Sequence, residues 1–380
     1  MRIAVYCQHV LGMGHLFRTL AIVEALSGHE RLLVLGGPRT PASVPEGVAL
    51  LRLPELSMDA AFGALSLAGE ALEAVRRARR EALTGALRDF SPDVFFVELY
   101  PFGRKAFEFE LLPALEAVRR AGGRAVCGVR DILVEKKDQA GYEARVLDRL
   151  GKYYDGVCVH ADPALFRLDA TFSRAADIPV PVRYTGYVAG ATANGRPVAA
   201  VRRQLGVAGG KELVVASAGG GKVGGELLAA LLAAARDSPR LSRAAVRVFS
   251  GPFCPDDVFA GLVAAAEMLP DARVARFADA FPDVLAACDL SVSLAGYNTV
   301  MALLAAGARG LVLPFDQNRE QRMRAERLAE LGLLGMLAPD ALAPAVLAAR
   351  CVAALDAPRP PKAAIDLGGA RGTAAILASF

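Results

Sequence analysis

A chain of 380 residues is too long for one ordinary hydrophobic core and suits two domains of common size. Lys and Arg number 44 against 40 Asp and Glu, a net charge of +4 spread along the chain, which excludes a nucleic-acid binder built on basic tracts. No run approaches the roughly 18 to 20 uninterrupted apolar residues of a membrane span, and Met1-Arg2-Ile3-Ala4-Val5 leads straight into a strand without a signal-peptide pattern, so a cytoplasmic protein is expected.

Taken in order, Ile3–Cys7 reads as a buried strand, Leu16–Leu26 as a helix with apolar residues at helical spacing, and Leu32–Leu35 as a second strand ending at Gly36-Gly37. Asp59 to Phe90 reads as one long helix carrying Arg76, Arg77, Arg79 and Arg80. That cluster is expected to be a solvated face, with weak peripheral attachment to a membrane surface as its alternative. Asp93–Val97 is a strand followed by the turn-rich Glu98-Leu99-Tyr100-Pro101-Phe102-Gly103. A helix (Glu108–Ala121), a strand (Arg124–Val129), another helix and the strand Gly156–His160 complete the first alternation near Tyr184-Thr185-Gly186-Tyr187. After the Gly-, Pro- and Asn-rich link from Gly190 to Pro197, strand and helix signals restart at Glu212–Ala216 and continue to about Ala354. Such repeated strand-helix alternation implies an α/β chain with two parallel sheets covered on both faces. Six cysteines (Cys7, Cys127, Cys158, Cys254, Cys288, Cys351) stand singly in apolar segments and form no C-x-x-C pair, so buried reduced thiols and no structural metal are expected.

The chemistry concentrates where strands end in glycine turns. Leu290–Leu294 leads into Ala295-Gly296-Tyr297-Asn298-Thr299 and an apolar helix from Val300 to Ala306. Unpaired main-chain N–H groups and the positive end of a helix dipole suit such a turn to an anion, and a diphosphate would fit. The next turn, Pro314 to Gln321, offers amides and acids that could read hydroxyl groups, so the two together suggest a nucleotide sugar. Ser217-Ala218-Gly219-Gly220-Gly221 is a further strand-to-helix loop able to admit phosphate oxygens. The first glycine loop, Val10 to His15, lacks the third glycine of a dinucleotide fingerprint because Phe17 stands there, and no acidic residue ends the second strand, so NAD binding is rejected.

Gly296-Tyr297-Asn298-Thr299, the helix ending in Ala305-Ala306-Gly307, and the strand ending in Pro314-Phe315 before the turn to Gln321 together resemble the donor half of GT-B superfamily glycosyltransferases. The bacterial peptidoglycan N-acetylglucosaminyltransferase (family 28 type) and its bacterial relatives are the nearer resemblance, and plant-type UDP-sugar transferases a further one. The resemblance implies a GT-B fold of two Rossmann-like domains facing across a cleft. Residues 1–185 would carry the acceptor side and the catalytic base, 186–356 the nucleotide-sugar donor, and 357–380 a tail crossing back to the first domain. It implies transfer of a sugar from a nucleoside diphosphate sugar to an acceptor nucleophile, with inversion and without a metal, the nucleotide sugar being a substrate rather than a cofactor. His15, in the Gly-His turn, would be the general base, with an orienting or helix-capping histidine as the alternative. Glu98, at the end of a Pro-Asp-headed strand, would be the carboxylate that orients it, or else a loop acid paired with an arginine. Gly14, Ser217, Gly219, Gly220, Gly221, Ala278, Gly296, Asn298 and Thr299 would hold the donor's phosphates and nucleoside, and Asn318, Glu320 and Gln321 its sugar. Two departures stand out. Arg18 replaces the proline common in the plant-type motif, and Ala302 stands where those families carry a ribose-binding Glu, which counts against diol recognition; UDP-sugar is the favoured donor, with dTDP-sugar as the alternative. The competing classes are a nucleotide-sugar hydrolase of similar fold, a non-catalytic nucleotide-sugar binder and, with only Glu98 to serve it, a 2-epimerase; the acceptor is not legible, because acceptor loops vary freely on one fold.

Overall fold

A computed structural model describes residues 1–9, 14–39, 43–56, 65–189, 195–278, 280–315, 319–361 and 365–380. The chain packs as two units, Met1–Gly190 with Ile365–Phe380, and Ala191–Ala364.

The first unit contains β1 (Arg2–Gln8), α1 (Gly14–Ala25), β2 (Glu30–Gly36), β3 (Val48–Arg52), α2 (Gly69–Phe90), β4 (Val94–Glu98), α3 (Glu108–Arg120), β5 (Arg124–Arg130), α4 (Gln139–Tyr153), β6 (Gly156–His160) and β7 (Val182–Tyr184). Its seven strands are all parallel in the order β3-β2-β1-β4-β5-β6-β7. Strand order therefore reverses between β1 and β4, so the crossovers leave to opposite sides there and open a space at the carboxyl ends of those two strands. The strand interiors are continuous apolar runs, as a sheet buried on both faces requires: Ile3, Val5, Val94, Phe96 and Val126 pack with Leu16, Leu20 and Val23 of α1.

Two expectations change. The long helix foreseen from Asp59 begins at Gly69, and residues 57–64 lie outside the described residues. Arg79, expected on a solvated or membrane-facing surface, is instead fully buried. Its Nε and Nη2 donate to Glu110 at 2.7 and 2.6 Å, and Nη1 and Nη2 also donate to the Pro54 carbonyl and to Gln8 Oε1. Tyr6 Oη donates to the same carboxylate at 2.5 Å, so every charge in this core network has a partner. Arg76 pairs with Glu73 at 2.6 Å and lies over Phe109, leaving Arg77 and Arg80 as the outward members of the cluster. Four arginines in five residues look alike in sequence, and only the helical angle separates the one that faces Glu110.

The second unit contains α5 (Val198–Gln204), β8 (Leu213–Ser217), α6 (Gly225–Asp237), β9 (Ala245–Phe249), α7 (Asp256–Glu267), β10 (Ala272–Ala275), α8 (Phe281–Ala287), β11 (Leu290–Leu294), α9 (Tyr297–Ala306), β12 (Gly310–Leu313), α10 (Arg319–Glu330), β13 (Gly335–Met336) and α11 (Pro344–Asp356). Its six parallel strands run β10-β9-β8-β11-β12-β13, with the same reversal between β8 and β11. Val214, Val246, Val292 and Leu311 from the sheet pack with Leu228, Leu231 and Leu347 from the helices.

The last helix, α12 (Gly369–Leu377), belongs to the first unit. Leu377 enters the core under α1, and Val188 bridges to Gly368. Gly372 lets the backbones meet: a Cβ there would lie 2.2 Å from the Thr185 carbonyl oxygen. All six cysteines are buried and free. Among the described residues no helix is long and apolar enough to cross a membrane.

Candidate functional site

Strand register assembles the first site. β1 and β4 pair Ile3 with Val94 and Val5 with Phe96, so alternation puts Glu98, the last residue of β4, on the same face as Cys7 and under the start of α1. In the neighbouring strands Glu98 pairs with Gly128, and Arg130 pairs with His160. Gly128 keeps this line open, since a Cβ would lie 2.3 Å from the Phe96 ring and 3.0 Å from His160 Nε2. Above the strand ends, the first turn of α1 presents His15, and Arg18 follows three residues on along the same helix face.

Glu98 is shared. Its Oε1 lies 3.0 Å from His15 Nδ1 and accepts a hydrogen bond from Arg18 Nη2, while Oε2 faces His160 Nε2 at 3.8 Å. Arg18 Nη2 is also 2.9 Å from His15 Nδ1. The two readings of Glu98, histidine partner and arginine partner, therefore hold together in one group. Burial alone would raise the Glu98 pKa, but the Arg18 charge and the His15 hydrogen bond outweigh it and hold the carboxyl well below its usual range. In the tautomer that carries the proton on Nδ1, the ionised Glu98 accepts it and Nε2 of a neutral His15 keeps the lone pair; in the other, Nδ1 accepts from Arg18 and Nε2 carries the proton. That ring is 18% exposed, enough to meet a substrate, whereas Glu98 and Arg18 are 1% and 2% exposed.

The basicity of His15 departs from expectation. A base near neutrality suits proton abstraction, yet burial first, joined by the charges of Arg104 and Arg18 and opposed by Glu98, lowers its pKa to about 3. His15 is thus neutral throughout the physiological range. Arg18, noted only as the residue in place of a proline, supplies much of this electrostatic setting. Its i, i+3 spacing from His15 was the available signal; the identity of the acid it would meet was not. His160 is fully buried, with Nδ1 3.1 Å from Thr185 Oγ1 and 3.4 Å from Thr373 Oγ1 of α12. Burial lowers its pKa to about 4. Gly14 opens α1 beside His15, and Gly12 of the same loop lies outside the described residues.

The second unit gathers the donor candidates at the carboxyl ends of β8, β11 and β12. Gly296 precedes α9, so the half-buried Asn298 and Thr299 occupy its first turn, at the positive end of the helix dipole. The loop after β8 divides: Gly219 is exposed and Gly220 half-buried, whereas Gly221 is buried, donates its N–H to the Ala218 carbonyl, and sits so close to a neighbouring loop that a Cβ would be 2.4 Å from the Ser250 oxygen. Close packing accounts for Gly221. Ser217 is buried at the end of β8, and Ala278 is half-buried after β10. Glu320 and Gln321 open α10, with Glu320 buried and the Gln321 side-chain oxygen accepting the Phe315 N–H at 3.1 Å, so Gln321 braces the turn it follows. Asn318 lies outside the described residues. Arg324, a buried arginine one turn along α10, stacks its guanidinium 5.1 Å from the Tyr297 ring centre and joins this helix to the start of α9. Among the described residues no group of three or more His, Cys, Asp or Glu side chains is placed to hold a metal ion.

Residues 256–363 match the glycosyltransferase family 28 C-terminal domain. The whole chain is similar in structure to MurG of Acinetobacter baumannii, at 15% identity over 100% of this chain and 99% of that one with a TM-score of 0.55. It has this glycosyltransferase fold, GT-B. The calicheamicin glycosyltransferase CalG4 aligns at 18% identity over 94% of this chain and 90% of its own, with a TM-score of 0.59. Phytolacca americana UGT2, solved with UDP-2-fluoro-glucose and pterostilbene, aligns at 16% identity over 100% of this chain and 94% of its own, with a TM-score of 0.60. No curated protein sequence matches the chain. In GT-B terms the family 28 match spans α7 to α11, the part of the second unit that holds Gly296, Asn298, Thr299, Glu320 and Gln321.

Proposed function

We propose that this glycosyltransferase moves a sugar from a nucleoside diphosphate donor to an acceptor hydroxyl with inversion, and that His15 takes the acceptor proton. The observation that carries the reading is the His15–Glu98 pair, 3.0 Å apart at the strand reversal of the first sheet, in a chain whose second unit carries a glycosyltransferase domain. The acceptor oxygen attacks the anomeric carbon as the bond to the diphosphate breaks, and its proton passes to Nε2 of His15. Glu98 holds the ring by Nδ1 and stabilises the imidazolium as it forms; Arg18 keeps Glu98 ionised without itself touching substrate. The departing diphosphate carries the negative charge of the reaction to the first turn of α9, with Asn298, Thr299 and the Gly219-Gly220 loop as its cradle. UDP is the donor nucleotide we favour. A helix-terminus cradle needs no bridging cation, so donor binding should survive chelation.

Product analysis tests the reaction class. Incubation with a UDP-sugar and a panel of hydroxylated acceptors should consume donor only when an acceptor is present and yield a glycoside of inverted anomeric configuration by proton NMR. Free sugar released at the same rate without acceptor would make the chain a hydrolase. Calorimetry of UDP binding with and without EDTA tests the cradle; loss of binding on chelation would refute it.

A further inference from the structure

Arg104 is a charged group beside His15 that the proton-transfer scheme leaves unused. Its Nε donates to the main-chain carbonyl of Gln8, the last residue of β1, at 2.8 Å. Gln8 is itself fixed, with its side-chain nitrogen donating to the His9 and Leu56 carbonyls and its oxygen accepting from Arg79. One edge of the Arg104 guanidinium is therefore anchored at the carboxyl end of the sheet, beside the strand reversal that also holds His15 and Glu98. No carboxylate among the described residues forms an ion pair with Arg104. Glu98, the acid that acts on it electrostatically, already serves Arg18 and His15.

The loop that carries Arg104 is built for position. Leu99 and Arg104 both take left-handed backbone angles, φ 72° and 61°, which cost free energy for residues with a side chain. Four contacts hold the segment there: Leu99 N–H to the Gly128 carbonyl, Tyr142 Oη to the Phe102 carbonyl, Tyr154 Oη to the Tyr100 carbonyl, and the Phe102 ring edge-on to Phe172. Arg130 ends β5 on the same sheet edge, and burial together with its charge lowers the Arg104 pKa. Arg18 and Arg104 thus both act on Glu98, and Arg130 acts on Arg104 from the end of β5. A partly desolvated cation without a counter-charge is costly, and an arriving anion relieves that cost while gaining a forked hydrogen bond.

We propose that the first unit binds an anionic group of the acceptor, a phosphate or a carboxylate, on the outward guanidinium edge of Arg104 beside His15. This rests on the transferase reading and adds to it the class of acceptor: a molecule with a hydroxyl to be glycosylated and an anion within a few ångströms of it.

The test uses inorganic phosphate and acetate as probes of the full-length protein, followed by the imidazole resonance of His15, which His15→Gln assigns among the four histidines. Phosphate should shift that resonance saturably at millimolar concentration, Arg104→Gln should weaken its binding roughly tenfold or more, and Arg104→Lys should restore part of it. UDP affinity should stay within about twofold in each variant. An unchanged phosphate affinity in Arg104→Gln would overturn the proposal, as would a parallel loss of UDP affinity, which would assign the guanidinium to the donor's diphosphate. Because the readout is binding, it is separable from turnover: phosphate held by Arg104 in a chain that transfers no sugar would count against the transferase reading, while the anion site would stand.

Discussion

Glu98 settles how one acidic side chain serves three bases. With His15 and Arg18 on one oxygen and His160 facing the other, its negative charge is divided, and Arg18 takes the larger share because it is closest and permanently charged. Removing Arg18 should therefore hand more of that charge to His15. In Arg18→Met the His15 pKa should rise from about 3, since the Arg18 charge is one of the causes that lower it, though burial should keep it below the ordinary 6.5. An NMR titration of His15 reads this directly; an unchanged or lower value would mean that Arg18 does not set the site's electrostatics. The residue types of this site were legible, His15 from its Gly-His turn and Glu98 from its strand end. Arg18 and His160 were not, because a buried ion pair is a property of distances between segments some 80 and 60 residues apart, and sequence alone gives no such distance.

At the scale of elements, α12 is the part whose placement matters most to the site. It lies against α1, the helix whose first turn carries His15 and Arg18, and its Thr373 reaches His160 at 3.4 Å. Leu377→Ala should destabilise the first unit by roughly 2 to 5 kcal/mol, the usual cost of emptying a fully buried leucine site. UDP affinity, which the proposed donor cradle assigns to the second unit, should remain. Urea melts read with UDP calorimetry check both; a stable variant would mean that the tail only rests on the surface. The fully buried strands were plain in the sequence because strands buried on both faces read as apolar runs, and Gly156–His160 and Leu290–Leu294 begin and end where expected. The start of α2 was not, because the propensity of its Ala-rich approach favours helix on both sides of Gly69, whose left-handed φ of 58° stands at the boundary. Arg79 shows the same limit on one helix: its network joins α2, β1 and α3, and no local pattern announces it.

Across the whole molecule, acid should act on the first unit before the second. His9, His15 and His160 are held neutral by burial, with pKa values lowered to about 4, 3 and 4, and all three lie in that unit. Below the unfolded value of 6.5 the unfolded chain takes up protons that the folded chain refuses, so the histidines' contribution to stability falls as pH drops from 6.5 to about 4 and levels off below 3. Each group contributes up to about 1.4 kcal/mol per pH unit in that window. Glu98, whose folded pKa is likewise depressed, contributes in the same sense: its share is present above the unfolded carboxylate value of 4.5 and is lost as pH falls below it. Urea midpoints at pH 7 and pH 5 should differ clearly for the first unit's transition, and His160→Gln should flatten the slope; equal midpoints would mean that these rings are solvated.

In the proposed transfer, His15 is the base. The measurement that tests it most directly is the single-turnover rate of sugar transfer by His15→Ala, with donor and acceptor both saturating and the UDP dissociation constant determined alongside. A general base acts in the transition state and contributes about 10² to 10⁴ in rate. The rate should fall by about a hundredfold or more while the dissociation constant for UDP stays unchanged. A rate near that of the natural protein, or a loss that disappears on raising the acceptor concentration, would contradict the account.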